Sequence, residues 1–267
     1  MVSLLAAAAI AVASPAVAQP QAPPEPAIFE IHDSDTTIYL FGTFHALDGN
    51  PQWFDRGVRD AFEQSNELVL ETLLPEGPNA AEQLKDAVAH EAAAKPSAAF
   101  LATTKMAISA SRAQGMQVDN GADMVLRHVA ESEGKPVEQL ETLQFQLNMF
   151  NQLSAAAPAM PANARPGDPV AAQPMEDLSH TLADLQSAWK RGDQSVFIQM
   201  LDQLRTGSPQ TYRLMFTERN ARWADWIAAR LQTPGTVFVA VGAGHLAGKD
   251  SVLVRLAEKG IPSQRVY

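Results

Sequence analysis

Residues Thr37–His45 read TIYLFGTFH, and residues Thr236–His245 read TVFVAVGAGH. Each is a run of β-branched and aromatic residues that stops at a Gly-x-x-His turn. Each therefore predicts a buried strand whose exit turns a histidine out of the sheet. Before the first run, Ile28–Ile31 is separated from Thr37–Phe41 by the polar turn Asp33-Ser34-Asp35-Thr36, the pattern of a hairpin. After it, Phe54, Val58, Ala61 and Phe62 recur at helical spacing within Pro51–Ser65. ELVL (Glu67–Leu70) then reads as a short buried strand that ends at Glu71. The second run is followed by a helical Ser251–Lys259, Gly260 and a strand-like Gln264–Val266. The expected fold is therefore α/β (α+β), a central mixed sheet formed by two related β-α-β halves with an Ala-rich helical segment between them.

That middle segment, Ala80 to Ala130, is expected to be mostly helical, with breaks near Lys95-Pro96 and Gln114-Gly115. Gly134-Lys135-Pro136 closes a helix, and Val137–Leu140 opens another short strand that ends at Glu141. Residues Ala155 to Pro174 hold five Pro among small residues, which reads as an inserted surface loop. Leu178–Lys190 and Tyr212–Leu231 carry amphipathic helical patterns, the latter with Trp223 and Trp226 expected to pack the core.

The chain opens with an apolar stretch from Leu4 to Val12 and then Ala16-Val17-Ala18, a small-x-small cleavage pattern. Residues 1–18 are expected to be a signal peptide cleaved after Ala18, residues 19–27 a Pro-rich linker, and residues 28–267 a single domain that works in the periplasm or is secreted. The apolar stretch is too short to span a bilayer, and nothing later reaches the roughly 18 apolar residues that a span needs. A formal net charge of −10 with no long basic run argues against nucleic acid as a partner. With no cysteine, there can be no disulfide, thiolate zinc site or cysteine nucleophile, so any metal must be held by His and carboxylate.

Loops at the carboxyl ends of strands are where open α/β sheets bind ligands, and four candidate groups fall there: His45, His245, Glu71 and Glu141. Two His and one or two carboxylates suit Mn²⁺, Co²⁺, Fe²⁺ or Zn²⁺ with open positions for water and substrate. Without a metal the same groups suit general acid/base work. A lone Gly-x-x-His carries almost no information, since a histidine after a strand is commonly satisfied by backbone. Two of them on clear strand exits, in a chain with six His, carry much more. Gly42 and Gly242 let the chain turn out of the strand, and Gly244 removes a side chain beside His245. In Glu218-Arg219-Asn220 the ordinary expectation is a solvated helix face. The functional alternative is that Arg219 reaches under the site to orient a carboxylate or bind an anionic group.

FGTFH (Phe41–His45), LVLE (Leu68–Glu71), Gly134-Lys135-Pro136 to Leu140-Glu141-Thr142, the Trp189, Gly192, Asp193 stretch, Glu218-Arg219-Asn220 and VGAGHLAG (Val241–Gly248) together resemble the TraB/GumN family, which includes the Tiki proteins. The likeness covers nearly all of Ile28 to Tyr267, and VGAGHLAG is its most specific part. It implies a fold similar to the erythromycin-esterase/ChaN-like group. It also implies a metal-dependent peptidase activity assigned to His45, His245 and Glu71; on the residue reading, His45 and His245 hold the ion with help from Glu71 or Glu141, and Glu71 otherwise serves as general base. The substrate would be a peptide or small molecule. The ChaN-like relatives imply a competing reading, a haem or small-molecule binding protein without turnover, and other members a non-catalytic regulator.

Overall fold

Alternation along TIYLFGT sorts the two faces of the sheet. Tyr39 and Phe41 point to one side, Ile38 and Leu40 to the other. A computed structural model describes residues 25–75, 79, 82, 109–156 and 169–267. The leader and most of the Pro-rich tether lie outside the described residues, as does most of the Ala-rich segment up to residue 108.

In chain order the strands are β1 (Ile28–His32), β2 (Thr36–Thr43), β3 (Glu67–Leu70), β4 (Val137–Gln139), β5 (Gly235–Gly242) and β6 (Gln264–Arg265). The helices are α1 (Arg56–Gln64), α2 (Ala122–Ser132), α3 (Leu143–Ala156), α4 (Pro169–Lys190), α5 (Ser195–Gly207), α6 (Pro209–Tyr212), α7 (Glu218–Arg230) and α8 (Val252–Glu258). One six-stranded sheet runs β4-β3-β5-β2-β1-β6. β4, β3, β5 and β2 are parallel, while β1 is antiparallel to both β2 and β6. The mixed α/β sheet expected from the sequence is therefore present, with β5 central.

Helices cover both faces. Phe41, Leu68, Leu70 and Phe238 pack against Val58 and Phe62 of α1, Leu126 of α2, Trp189 of α4 and Phe197 of α5. On the other face Ile38, Leu40, Val69, Val237 and Val239 meet Trp223 and Ile227 of α7 and Val252 and Leu256 of α8. Each large side chain removed from water in this way contributes about 1.5–3 kcal/mol, which is why the sheet cannot slip register by one residue without exposing both cores. Among the described residues no helix is long and apolar enough to cross a membrane.

Three local expectations change. α4 begins at Pro169 and α3 continues to Ala156, so both ends of the Ala155–Pro174 stretch are helical; Pro169 sits at a first helical position, where a missing N–H costs nothing. The segment read as a single helix from Tyr212 is interrupted by a π-helical turn, Arg213–Thr217, in which the Glu218 N–H donates to Arg213 five residues back. α5 was not expected, although Val196, Phe197, Met200, Leu201 and Leu204 share one packed face.

Candidate functional site

The sheet register brings the strand exits together. Thr43 of β2 lies opposite Gly242 of β5, and Leu70 of β3 lies opposite both Ala240 of β5 and Gln139 of β4. The chain segments leading to His45, Glu71, Glu141 and His245 thus leave four parallel neighbours at one edge, around the end of the central strand. A methyl group added at Gly242 would sit 3.2 Å from His45 Nε2, 3.5 Å from His245 Cδ2 and 3.6 Å from Glu71 Oε2. Two imidazoles and a carboxylate therefore converge on one point that only a glycine leaves open. Gly42 approaches the Ala243 Cα at 2.9 Å and Gly244 faces the Phe216 ring at 3.2 Å, measured in the same way. Both glycines permit close packing of the turn.

His245 is buried, 5% exposed, between the rings of Trp223 and Phe216 at 4.4 and 4.9 Å. Its Nδ1 lies 2.6 Å from Asn220 Oδ1. An amide oxygen only accepts, so the proton sits on Nδ1 and the Nε2 lone pair faces the site. The Asn220 amide nitrogen in turn donates to the Asp250 carbonyl at 2.7 Å, which fixes which way the amide points. Burial pushes the imidazole down to about 3, and the Glu71 charge offsets this only in part.

His45 stands out of the chain just past β2, its side chain 60% exposed, with Nδ1 3.3 Å from Asp123 Oδ1. Desolvation pulls this imidazole down, but Asp123 and then Glu71 outweigh it and raise it. Asp123 comes from the first turn of α2, which docks on the FGTFH turn through the Ala122 N–H to the Phe44 carbonyl, 2.9 Å. Any side chain at Gly121 would lie 2.4 Å from the His45 carbonyl, so the approach requires glycine. Nothing in the linear pattern marked Asp123.

Arg219 is 2% exposed, so the solvated-face expectation for it does not hold. Its guanidinium bridges the site: Nη2 pairs with Glu71 Oε1, Nε with Glu141 Oε2 at 2.9 Å, and Nη1 donates to the His245 Nε2 at 3.2 Å. Nη1 also donates to the Met215 carbonyl in the π turn at 3.2 Å, and the group lies over the Trp223 ring. Burial alone would raise Glu71; Arg219, then His245 and His45, outweigh it and lower it to about 2. The Gln146 amide and the Gly242 N–H also donate to Glu71, at 3.1 and 3.3 Å. Glu141 is engaged by Arg219 and, at 3.3 Å, by Arg222. Its place is beside Arg219, where it anchors the cation that holds Glu71.

A cleft of 240 Å³ opens over this edge, with His45, Glu71 and Asp123 in its wall. The Thr43 and Thr72 hydroxyls border it, buried and without a hydrogen-bond partner among the described residues. His245 has the support of a metal-ligating imidazole, Nδ1 held by Asn220 and Nε2 inward, while His45 Nδ1 faces the Asp123 carboxylate at 3.3 Å and Glu71 supplies an anionic oxygen. In kind this donor set fits a divalent ion. Among the described residues no three His, Asp or Glu side chains stand grouped as a ready ligand set. Arg219 already serves as the cation between Glu71 and His245.

Of the residues singled out from the sequence, the fold thus gathers His45, His245, Glu71, Arg219, Asn220, Gly42, Gly242 and Gly244 at this edge, with Glu141 behind Arg219. It adds Asp123, Gln146 and the Trp223 ring. A family model described as the TraB/PrgY/gumN family matches residues 27–92 and 77–265. No curated protein and no solved structure matches the chain.

Proposed function

Given that the chain belongs to the TraB/PrgY/gumN family, we propose that it is an exported metal-dependent hydrolase acting on peptide bonds. The observation that carries this reading is the convergence of His45 Nε2, His245 and Glu71 Oε2 on the open point at Gly242. His45 and His245 would hold the ion, and Glu71 would either complete the ligand set or act as the base toward water. A divalent ion supplies Lewis acidity, acidifying water and polarising a carbonyl. The rest is the work of the chain itself. Asn220 and Asp123 orient the two imidazoles. Arg219, Gln146 and the Gly242 N–H hold the Glu71 carboxylate ionised and facing the cleft, where it can accept a proton from water. The Thr43 and Thr72 hydroxyls are donors without acceptors on the cleft wall, able to meet the carbonyl oxygen of a substrate.

A second reading is favoured by one observation, the Arg219 N–H that already occupies the His245 lone pair. Here the reaction needs no metal: the protonated His45 is the general acid, and Arg219 supplies the positive charge.

The test measures Mn²⁺, Co²⁺ and Zn²⁺ binding by calorimetry, and peptide cleavage, on the chain lacking residues 1–18, as wild type, His45→Ala and His245→Ala. The first reading expects metal binding and cleavage that both variants lose. It fails if both variants bind metal like wild type. Cleavage that survives a chelator but is lost in His45→Ala would support the second reading instead.

A further inference from the structure

His45 is exposed because it stands as a partition between two hollows. On one side is the 240 Å³ cleft, where Leu70, Leu74, Met124 and Phe150 share the lining with Glu71, Asp123 and an Arg127 already paired to Glu131. On the other is a wider hollow of 540 Å³, bounded by Ser111, Arg112 and Gln117. Val118 borders both and is 47% exposed; Leu74, which lines the first, is 40% exposed. Large apolar side chains left open to water at the mouth of a cleft cost solvation that a ligand would recover. Arg112 makes no ion pair with any described residue and lines a hollow of a protein whose formal net charge is −10, where a cation is a distinctive recognition element.

We propose that the two hollows are paired subsites for one substrate that lies across His45, with a bulky hydrophobic side chain in the Leu70/Leu74/Met124/Phe150 cleft and a free carboxylate near Arg112. The substrate class is then a short peptide, or an acylated amino acid, with a large apolar residue and an anionic end. This assignment rests on the hydrolase reading for its reacting bond, which would pass between Glu71 and His45. The geometry accounts for the direction of binding. The hollow with Leu70 and Phe150 is the smaller of the two, while the one beside Arg112 is wider and leaves a terminus solvated.

The test uses binding to the chelator-treated chain, so that turnover does not enter. The probes are acetyl-Ala-Leu-Ala as free acid, the same peptide as C-terminal amide, and acetyl-Ala-Ala-Ala as free acid. Wild type should prefer the leucine acid over the alanine acid by about tenfold, the value of burying one leucine side chain, and over the amide by about threefold, as expected for a partly solvated ion pair. Leu74→Asp should remove the first preference and Arg112→Gln the second; both positions are exposed, so the fold should tolerate them. Equal binding of the three probes, or a preference that survives its variant, overturns the subsites. Binding as expected with no cleavage under any metal would sink the hydrolase reading and leave the groove standing. Cleavage indifferent to both features would do the reverse.

Discussion

Asn220 Oδ1 lies 2.6 Å from His245 Nδ1, and this single contact decides which nitrogen of a buried ring faces the site. Asn220→Ala should free the ring to invert its tautomer. Activity or metal affinity should fall about 10–100-fold, while stability drops by only about 1–2 kcal/mol. Steady-state kinetics or calorimetry beside a urea melt separates the two. Equal activity with unchanged metal affinity would show that the orientation does not matter.

Arg219 neutralises two carboxylates out of water. Arg219→Met should take from Glu71 and Glu141 the buried cation they share and cost about 3–5 kcal/mol. Adding Glu141→Gln to that variant should restore part of the loss. A single variant as stable as wild type in chemical denaturation would mean that the ion pairs contribute no net stability.

Gly242 has φ −51° and ψ 134°, which an alanine adopts without strain. Gly242→Ala should therefore keep the fold, with its melting temperature close to wild type, yet weaken ligand or metal binding by about tenfold or more, because the methyl lies 3.2 Å from His45 Nε2. Unchanged binding would place the ligand elsewhere.

His245 has its folded pKa lowered to about 3 from an ordinary value near 6.5, and Glu71 is lowered to about 2. In both cases the unfolded chain takes up protons before the folded chain does. The stability they contribute is full above pH ~6.5 for His245 and above pH ~4.5 for Glu71, and is lost as the pH falls toward the folded values. Urea midpoints should therefore decline from about pH 7 to about pH 4, less steeply in His245→Gln. A variant with the wild-type slope would show that another group governs acid sensitivity.

His45 is raised, chiefly by Asp123 once desolvation is overcome. Asp123→Asn should move its titration downward in histidine proton NMR. No movement would remove Asp123 from the site.

Much of this could be read from the sequence because it lies on strands. TIYLFG, ELVL and TVFVAVG carry their faces in their alternation, and the exits of parallel strands must share an edge, so His45, Glu71 and His245 could be gathered without coordinates. What resisted lies on helices. Arg219 admits both a solvated face and a reach under the site, and a helix period cannot choose between them because it cannot say that two glutamates wait beneath. Asp123 joins the site only through the docking of α2 on the FGTFH turn, a tertiary event with no local pattern. The Trp223 ring was assigned to the core, where it does lie, but its second face also supports His245.

The π turn at Arg213–Thr217 adds one residue to a helical run just before Arg219 and Asn220. In an α-helix one residue is worth about 100° of rotation. Deleting one residue there would relax the bulge to regular helix and swing everything upstream, Tyr212 with its Asp250 partner included, about a quarter of the way round the axis. The bulge is thus an index mark. It lets one continuous rod present its first half to the sheet face that holds Phe41 and its second half to the opposite face, with the guanidinium placed where the two settings meet.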